Sequence, residues 1–180
     1  MSMALDELMS MGMCGQKDEA VKRIRTILNN AKYQIVEEDS RKPWGAYFRL
    51  DGKQAKQFLS EFFPGLSIEE ARLGVADAEL SPKILLVSPG HRLSWQYHHR
   101  RAERWHFLTK GAFNKSQSDE QGQVTKAVPG DIIQFAKGER HRLVGDEKAY
   151  TVVAEIWQHS YSNNPSDEDD IVRLADDYSR

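Results

Sequence analysis

The sequence predicts a mainly β fold, an antiparallel barrel or sandwich with helices at both ends. Two observations carry that prediction. From Pro82 onward, short apolar runs recur at 84–88, 93–98, 105–108, 124–128, 132–135, 141–144 and 150–157, separated by turns rich in Gly and Pro. Near the start, apolar residues instead recur at helical spacing. Ala20, Val21, Ile24, Ile27 and Leu28 form one stripe, and Lys17, Asp18, Lys22, Arg23 and Arg25 cover the other side.

Residues 1–40 read as an N-terminal helical extension, helical to a stop at Asn29-Asn30 and followed by a short strand at 33–36. Its apolar stripe serves either a partner or dimer, or the outside of the barrel. Residues 41–180 read as the barrel. KPWGAYF at 42–48 is a turn and a strand, with Trp44 either an aromatic plug or a substrate contact. A helix over 54–63, closed by Pro64-Gly65, belongs to an insertion around 52–80 that is either a lid over the barrel mouth or a surface decoration. At the far end, the acidic stretch 166–170 marks a helix start. Ile171, Val172, Leu174 and Ala175 supply its apolar face, so a terminal helix is expected.

Bulk properties exclude several classes. A chain of 180 residues is long enough for one domain with its own core. A formal charge of -2 argues against a nucleic-acid partner. The single Cys14 rules out an internal disulfide and suits a reducing compartment. No apolar run approaches the roughly 20 residues of a membrane span. Asp6 and Glu7 stand where a secretion signal needs positive charge. A cytoplasmic protein without a membrane partner is expected, with a homodimer as its assembly.

Two stretches carry chemistry. In PGHRLSWQYHHRRAERWHFLTKG (89–111), Leu93, Trp95 and Tyr97 alternate with Ser94, Gln96 and His98, which sends Gln96 and His98 to one face. A hairpin folded at 99–102 brings Glu103 to the same point, while His99 and His106 alternate away. An imidazole, a carboxylate and an amide oxygen suit a divalent metal. In PGDIIQFAKGERHRLVG (129–145), a turn through Lys137 and Gly138 places His141 on a returning strand as a fourth donor.

The pair resembles the double motif of the cupin barrel. The first half, G(x5)HxH(x4)E, runs from Gly90 with Gln96 in the first His slot; the second runs from Gly130, with Ala136 for Pro and Gly145 for Asn. RLSWQYHHRRAERW further resembles the RLSLQMHHHRAEHW signature of type II phosphomannose isomerases. KPWGAY at 42–47, VVAEIW at 152–157 and EDDIVRLADDYSR at 168–180 match that family in the same order. Trp95, Tyr97, Arg100 and Arg104 depart from the family pattern, Ser179 replaces its glycine, and extra residues lie between Ile156 and Glu168.

The resemblance implies a double-stranded β-helix (jelly-roll) barrel holding one divalent ion on Gln96, His98, Glu103 and His141. Zinc suits these donors best, and nickel, cobalt, iron or manganese also fit. It further implies a metal-dependent aldose–ketose isomerase acting on a sugar phosphate, mannose-6-phosphate-like, by proton transfer through an enediol. Glu155 is then the base, or a structural ion pair. Arg173 then meets phosphate or enediolate, or forms a salt bridge to Asp169 or Asp170. Lys83, Arg92 and Arg101 are the candidates for phosphate binding. The competing readings are an isomerase of an unphosphorylated aldose such as lyxose or mannose, and a non-catalytic metal- or carbohydrate-binding cupin. A cupin dioxygenase is a weaker fourth, against which Gln96 argues. Domains of this family are often fused behind a guanylyltransferase with no counterpart in these residues, so nucleotide transfer is not expected from this stretch.

Overall fold

The computed structural model describes residues 3–13 and 15–178; Cys14 and Ser179 lie outside the described residues. Helix α1 (Met3–Met9) runs through a 3-10 turn, Ser10–Met13, toward α2 (Lys17–Asn30). Strands β1 (Ile35–Asp39) and β2 (Gly45–Leu50) follow, then helices α3 (Ala55–Phe62) and α4 (Ile68–Ala71). The remaining strands are β3 (Leu80–Val87), β4 (Trp95–Tyr97), β5 (Arg101–Phe107), β6 (Gly111–Ser116), β7 (Thr125–Ala127), β8 (Ile132–Phe135), β9 (Arg140–Gly145), β10 (Thr151–His159) and β11 (Val172–Ala175). They form two antiparallel sheets of order β1-β2-β3-β10-β5-β8 and β11-β4-β9-β6-β7. This is the jelly roll that the alternating runs predict. Among the described residues no helix is long and apolar enough to cross a membrane.

The two sheets are joined by corners, which corrects the hairpins expected at 99–102 and 137–138. β4 lies in the second sheet and β5 in the first, and β8 and β9 are divided the same way. A period-of-two pattern interrupted by a tight turn looks identical whether the chain returns beside itself or crosses to a facing sheet. The crossing wins because each strand already has another partner: β5 pairs with β10 and β8, and β4 with β9 and β11.

The six-stranded sheet is buried on both faces. On its outer face Phe48, Ile84, Leu86, Val152, Ala154 and Ile156 pack against helices, and on its inner face Leu85, Val87, Val153, Trp105 and Phe107 fill the barrel. The α2 stripe Ala20, Val21, Ile24, Ile27 and Leu28 is buried in the outer core, so the chain's own sheet covers it. Helix α3 lies on the same face through Phe58, Leu59 and Phe62, and the segment expected as lid or decoration therefore backs the sheet. His106 points this way too, its Nδ1 2.6 Å from the Phe62 carbonyl. Gly45 begins β2 where a Cβ would meet the Leu86 carbonyl oxygen at 1.8 Å, so only glycine admits the β2–β3 contact after Trp44.

The expected terminal helix is absent: Val172–Ala175 is strand β11, pairing Arg173 with Gln96. Four residues are too few for a stable helix, and the free edge of β4 satisfies their backbone groups instead. Strand β6 escaped prediction because Asn114, Lys115 and Ser116 dilute its apolar signal.

Phe58 is fully buried, 4.7 Å from the Phe62 ring and 6.1 Å from both Tyr33 and Phe63. Replacing it with alanine is expected to lower unfolding free energy by about 3–5 kcal/mol in denaturant titration. A loss below about 1 kcal/mol would mean that the helical layer is not part of the cooperative core.

Candidate active site

Register places the chemical residues in rows. Across three strands of the first sheet, Lys83, Glu155 and Trp105 stand directly opposite one another, and one step along Trp157 faces Glu103. In the second sheet Arg173, Gln96 and His141 form the facing row. The two rows meet inside the barrel around a cleft lined by Gln96, Glu103, Glu155, Lys83, Arg101 and Arg173 among others.

Behind the cleft, His98, Glu103 and His141 bring one ligand atom each to within 4.8 Å of one another, and all three residues are buried. His98 Nδ1 lies 2.6 Å from the Asp170 carbonyl and His141 Nδ1 2.9 Å from the Glu139 carbonyl. A carbonyl only accepts, so both Nδ1 atoms donate and both Nε2 atoms turn a lone pair inward. Those lone pairs face the carboxylate oxygens of Glu103, at 3.1 Å from His98 and 3.3 Å from His141. His141 Nε2 is buried without a hydrogen-bond partner. Burial, only partly offset by Glu103, holds His98 below its usual range, which keeps the ring neutral. For Glu103, burial opposes ionisation but the imidazoles and Arg101 outweigh it, so its carboxyl stays well below the usual range. The His98 lone pair accepts from Arg101 Nη2 at 3.2 Å and that of His141 has no donor; two such lone pairs beside a carboxylate fit a divalent cation. Gln96 sits alongside with its amide nitrogen 3.4 Å from His98 Nε2, while its oxygen accepts from Ser94 at 2.5 Å. As an oxygen donor it would have to turn its amide over.

Glu155 is the second buried carboxyl. Burial and the Glu103 charge push it up to about 8, against Lys83 and Arg101. The indole N–H groups of Trp105 and Trp157 donate to its two oxygens at 2.9 and 3.0 Å. Both tryptophans escaped the search for functional residues, since a strand aromatic reads as core.

The candidate cations separate into different settings. Lys83 is buried, paired with Glu168, and burial lowers its pKa. Arg101 turns inward, donating to Glu103 at 2.9 Å and lying 3.5 Å from the centre of the Trp157 ring. Arg173 is exposed at the cleft and forms no ion pair among the described residues. Arg92 is not brought to the cleft; it stands ahead of β4 at an isolated bridge to Val144 and pairs with Asp177.

The extra residues before Glu168 form a strap over the mouth, in place of the expected helix start. Arg100 holds Asn164 and the Pro165 carbonyl, and Arg101 holds Ser166 and the Asp167 carbonyl. Asp170 accepts from the backbone N–H groups of His99 and Arg100 at 2.9 and 3.0 Å, tying the strap to the corner that carries the metal-type ligands. The signal for this role was the acidic run itself, whose carboxylates cap a corner instead of a helix.

Comparison with known proteins agrees with this geometry. The family described as mannose-6-phosphate isomerase C-terminal matches residues 75–176. The xanthan biosynthesis protein XanB of Xanthomonas campestris is 30% identical over 139 residues, 77% of this chain and 23% of that protein. The alginate biosynthesis protein AlgA of Pseudomonas aeruginosa is 36% identical over 98 residues, 54% of this chain and 19% of that protein. The chain thus spans about a quarter or less of the length of these relatives. A deletion mutant of Bacillus subtilis oxalate decarboxylase shares the fold, at TM-score 0.50 and 14% identity over 80% of this chain and 31% of that one.

Burial raises the Asp170 carboxyl, but Ser166 and the two backbone N–H groups outweigh it and the net shift is downward. A depressed carboxyl stabilises the fold above its unfolded value and loses that contribution as pH falls through its folded value. Asp170→Asn is therefore expected to cost about 1–3 kcal/mol near neutral pH. The gap from wild type should persist down to the ordinary value of 3.8 and close below it. Urea titrations at stepped pH measure this, and a gap independent of pH would refute the charged cap.

Proposed function

Because this chain belongs to the mannose-6-phosphate isomerase C-terminal family, we propose that its cleft interconverts an aldose 6-phosphate and its ketose partner, with mannose 6-phosphate or a close relative as the sugar. The observation that carries this reading is the placement of the Glu155 carboxyl, sealed in the barrel between two indole N–H donors and in register with Lys83 beside the His98–Glu103–His141 cluster, where burial pushes it up to about 8. A carboxyl poised near neutrality takes a proton and gives it back with little driving force lost in either direction. In this reaction the C2 proton of the aldose passes to Glu155 while O1 takes up a proton, giving an enediol. The proton on Glu155, or a solvent proton exchanged onto it, then adds to C1 as the C2 hydroxyl gives up its proton and becomes the carbonyl, so that the hydroxyl proton moves from O2 to O1. Nothing is consumed.

A divalent ion held by His98, Glu103 and His141, with Gln96 beside them, would supply Lewis acidity for the sugar oxygens whose charge grows along this path; zinc suits the donors. The chain's own groups do the rest. The two indole N–H groups fix the orientation of Glu155 and keep both its oxygens from wandering. Arg101, locked between Glu103 and the strap, keeps the cluster charged toward the cleft. Lys83 and Arg173 line the same cleft and are the cations for a phosphate. This grouping of cations counts against an unphosphorylated aldose as the substrate.

Proton-to-deuterium exchange by NMR in D2O, with zinc-loaded protein and a panel of phosphorylated and free aldoses, tests the reading. Exchange at C2 is expected only with phosphorylated aldoses, and Glu155→Gln should slow it by about 10²–10⁴-fold while metal content stays intact. Full exchange in that variant would remove Glu155 as the base; exchange on free sugars alone would remove the phosphate. Separately, His141→Ala is expected to bring bound zinc in equilibrium dialysis to under about one tenth of wild type. Undiminished zinc with a normal melt would place the ion elsewhere.

A further inference from the structure

A carboxylate of the chain itself already sits in the mouth of the cleft. The Lys83 ammonium is buried, 3.7 Å from the centre of the Trp157 ring and 4.7 Å from that of Tyr47, and its charge partner is Glu168. Glu168 differs from the other two cleft carboxylates. Its side chain is 47% exposed, whereas Glu103 and Glu155 are sealed. It hangs from the strap, which is anchored on either side: at 164–167 by Arg100 and Arg101, and at Asp170 by the corner backbone. None of those anchors holds the Glu168 side chain, so it can leave Lys83 while the strap stays in place.

A buried ammonium stripped of its counter-charge is costly. Any ligand that enters beside Lys83 must therefore either leave the Glu168 pair intact or bring a negative charge of its own. A sugar hydroxyl cannot replace a carboxylate. A phosphate monoester carries about -1.5 to -2 at neutral pH, with three acceptor oxygens. It satisfies Lys83 in a cleft also lined by Arg173, a cation that has no ion pair among the described residues.

We propose that Glu168 is a specificity-determining residue whose carboxylate stands in for the substrate's phosphate on Lys83, so that a phosphorylated ligand displaces it and an uncharged one does not. The identity of the substrate rests on the isomerase reading above; the exchange of anions on Lys83 rests on the ion pair alone. On displacement the Glu168 side chain turns into the solvent it already touches, and the bound phosphate takes over its hydrogen bond.

The test is isothermal titration of the full chain with inorganic phosphate, comparing wild type, Glu168→Gln, Glu168→Ala and Lys83→Met, each checked for folding by its thermal melt. Removing the resident competitor is expected to tighten phosphate binding about tenfold in both Glu168 variants, as fits one charge-assisted hydrogen bond that no longer has to be broken. Lys83→Met should abolish binding, and mannose without phosphate should bind none of the four measurably. Equal or weaker phosphate binding in both Glu168 variants overturns the proposal. Binding retained in Lys83→Met, or absent from all four proteins, overturns it as well. Because the readout is equilibrium binding without turnover, failure here is distinguishable from failure of the isomerase reading, which shows instead as missing C2 exchange.

Discussion

The interior of this barrel is organised by a carboxylate buried away from bulk solvent. Glu103 is surrounded by the Nε2 atoms of His98 and His141, the guanidinium of Arg101 and the indole of Trp105. An unpaired charge at that depth would be prohibitive; Arg101 and the Trp105 indole N–H offset it, while the inward lone pairs of His98 and His141 suit a cation that would complete the balance. The requirement then spreads outward. His98 and His141 each donate a hydrogen bond from Nδ1–H to a carbonyl, which commits the Asp170 and Glu139 backbones. Arg101 must be held flat against Trp157, which commits the strap at Ser166 and Asp167.

Glu103 also divides the work between the two buried carboxyls. Its own charge is one reason that Glu155 is pushed up to about 8, so one carboxyl ionises at the other's expense. The pair thereby offers a permanent anion suited to a cation and a second group suited to moving a proton. Two identical functional groups acquire different chemistry from placement alone: Glu103 meets the imidazoles, and Glu155 lies between two indoles with a buried lysine in register beside it.

The helical layer serves the same end from outside. A sheet whose inner face gives up positions to Lys83, Glu103 and Glu155 keeps only part of that face for hydrophobic packing. Its outer face is correspondingly apolar, packed with Phe58, Phe62, Ile24 and Leu28 from the helices. Strands β3 and β10 are accordingly buried along almost their whole length, unlike the partly exposed strands of the second sheet.

Much was legible in the residues by themselves. The alternation in the barrel strands, the stripe of α2 and the closure of α3 at Pro64-Gly65 are local properties, set by side-chain period and backbone preference. The convergence of His98, Glu103 and His141 was legible because each stands at a fixed offset from a tight turn. What the chain order could not specify was which strand lies beside which. The corners at 99–102 and 137–138 carry the same pattern as hairpins, and Ile171 to Ala175 suits a helix face as well as a strand edge. Those choices follow from long-range pairing: β4 needs a partner on its free edge, and the facing sheet supplies one for β5. The settings of Lys83, Glu155 and Glu168 were likewise decided only by the tertiary structure, because burial and neighbouring charge do not exist until the sheets close over them.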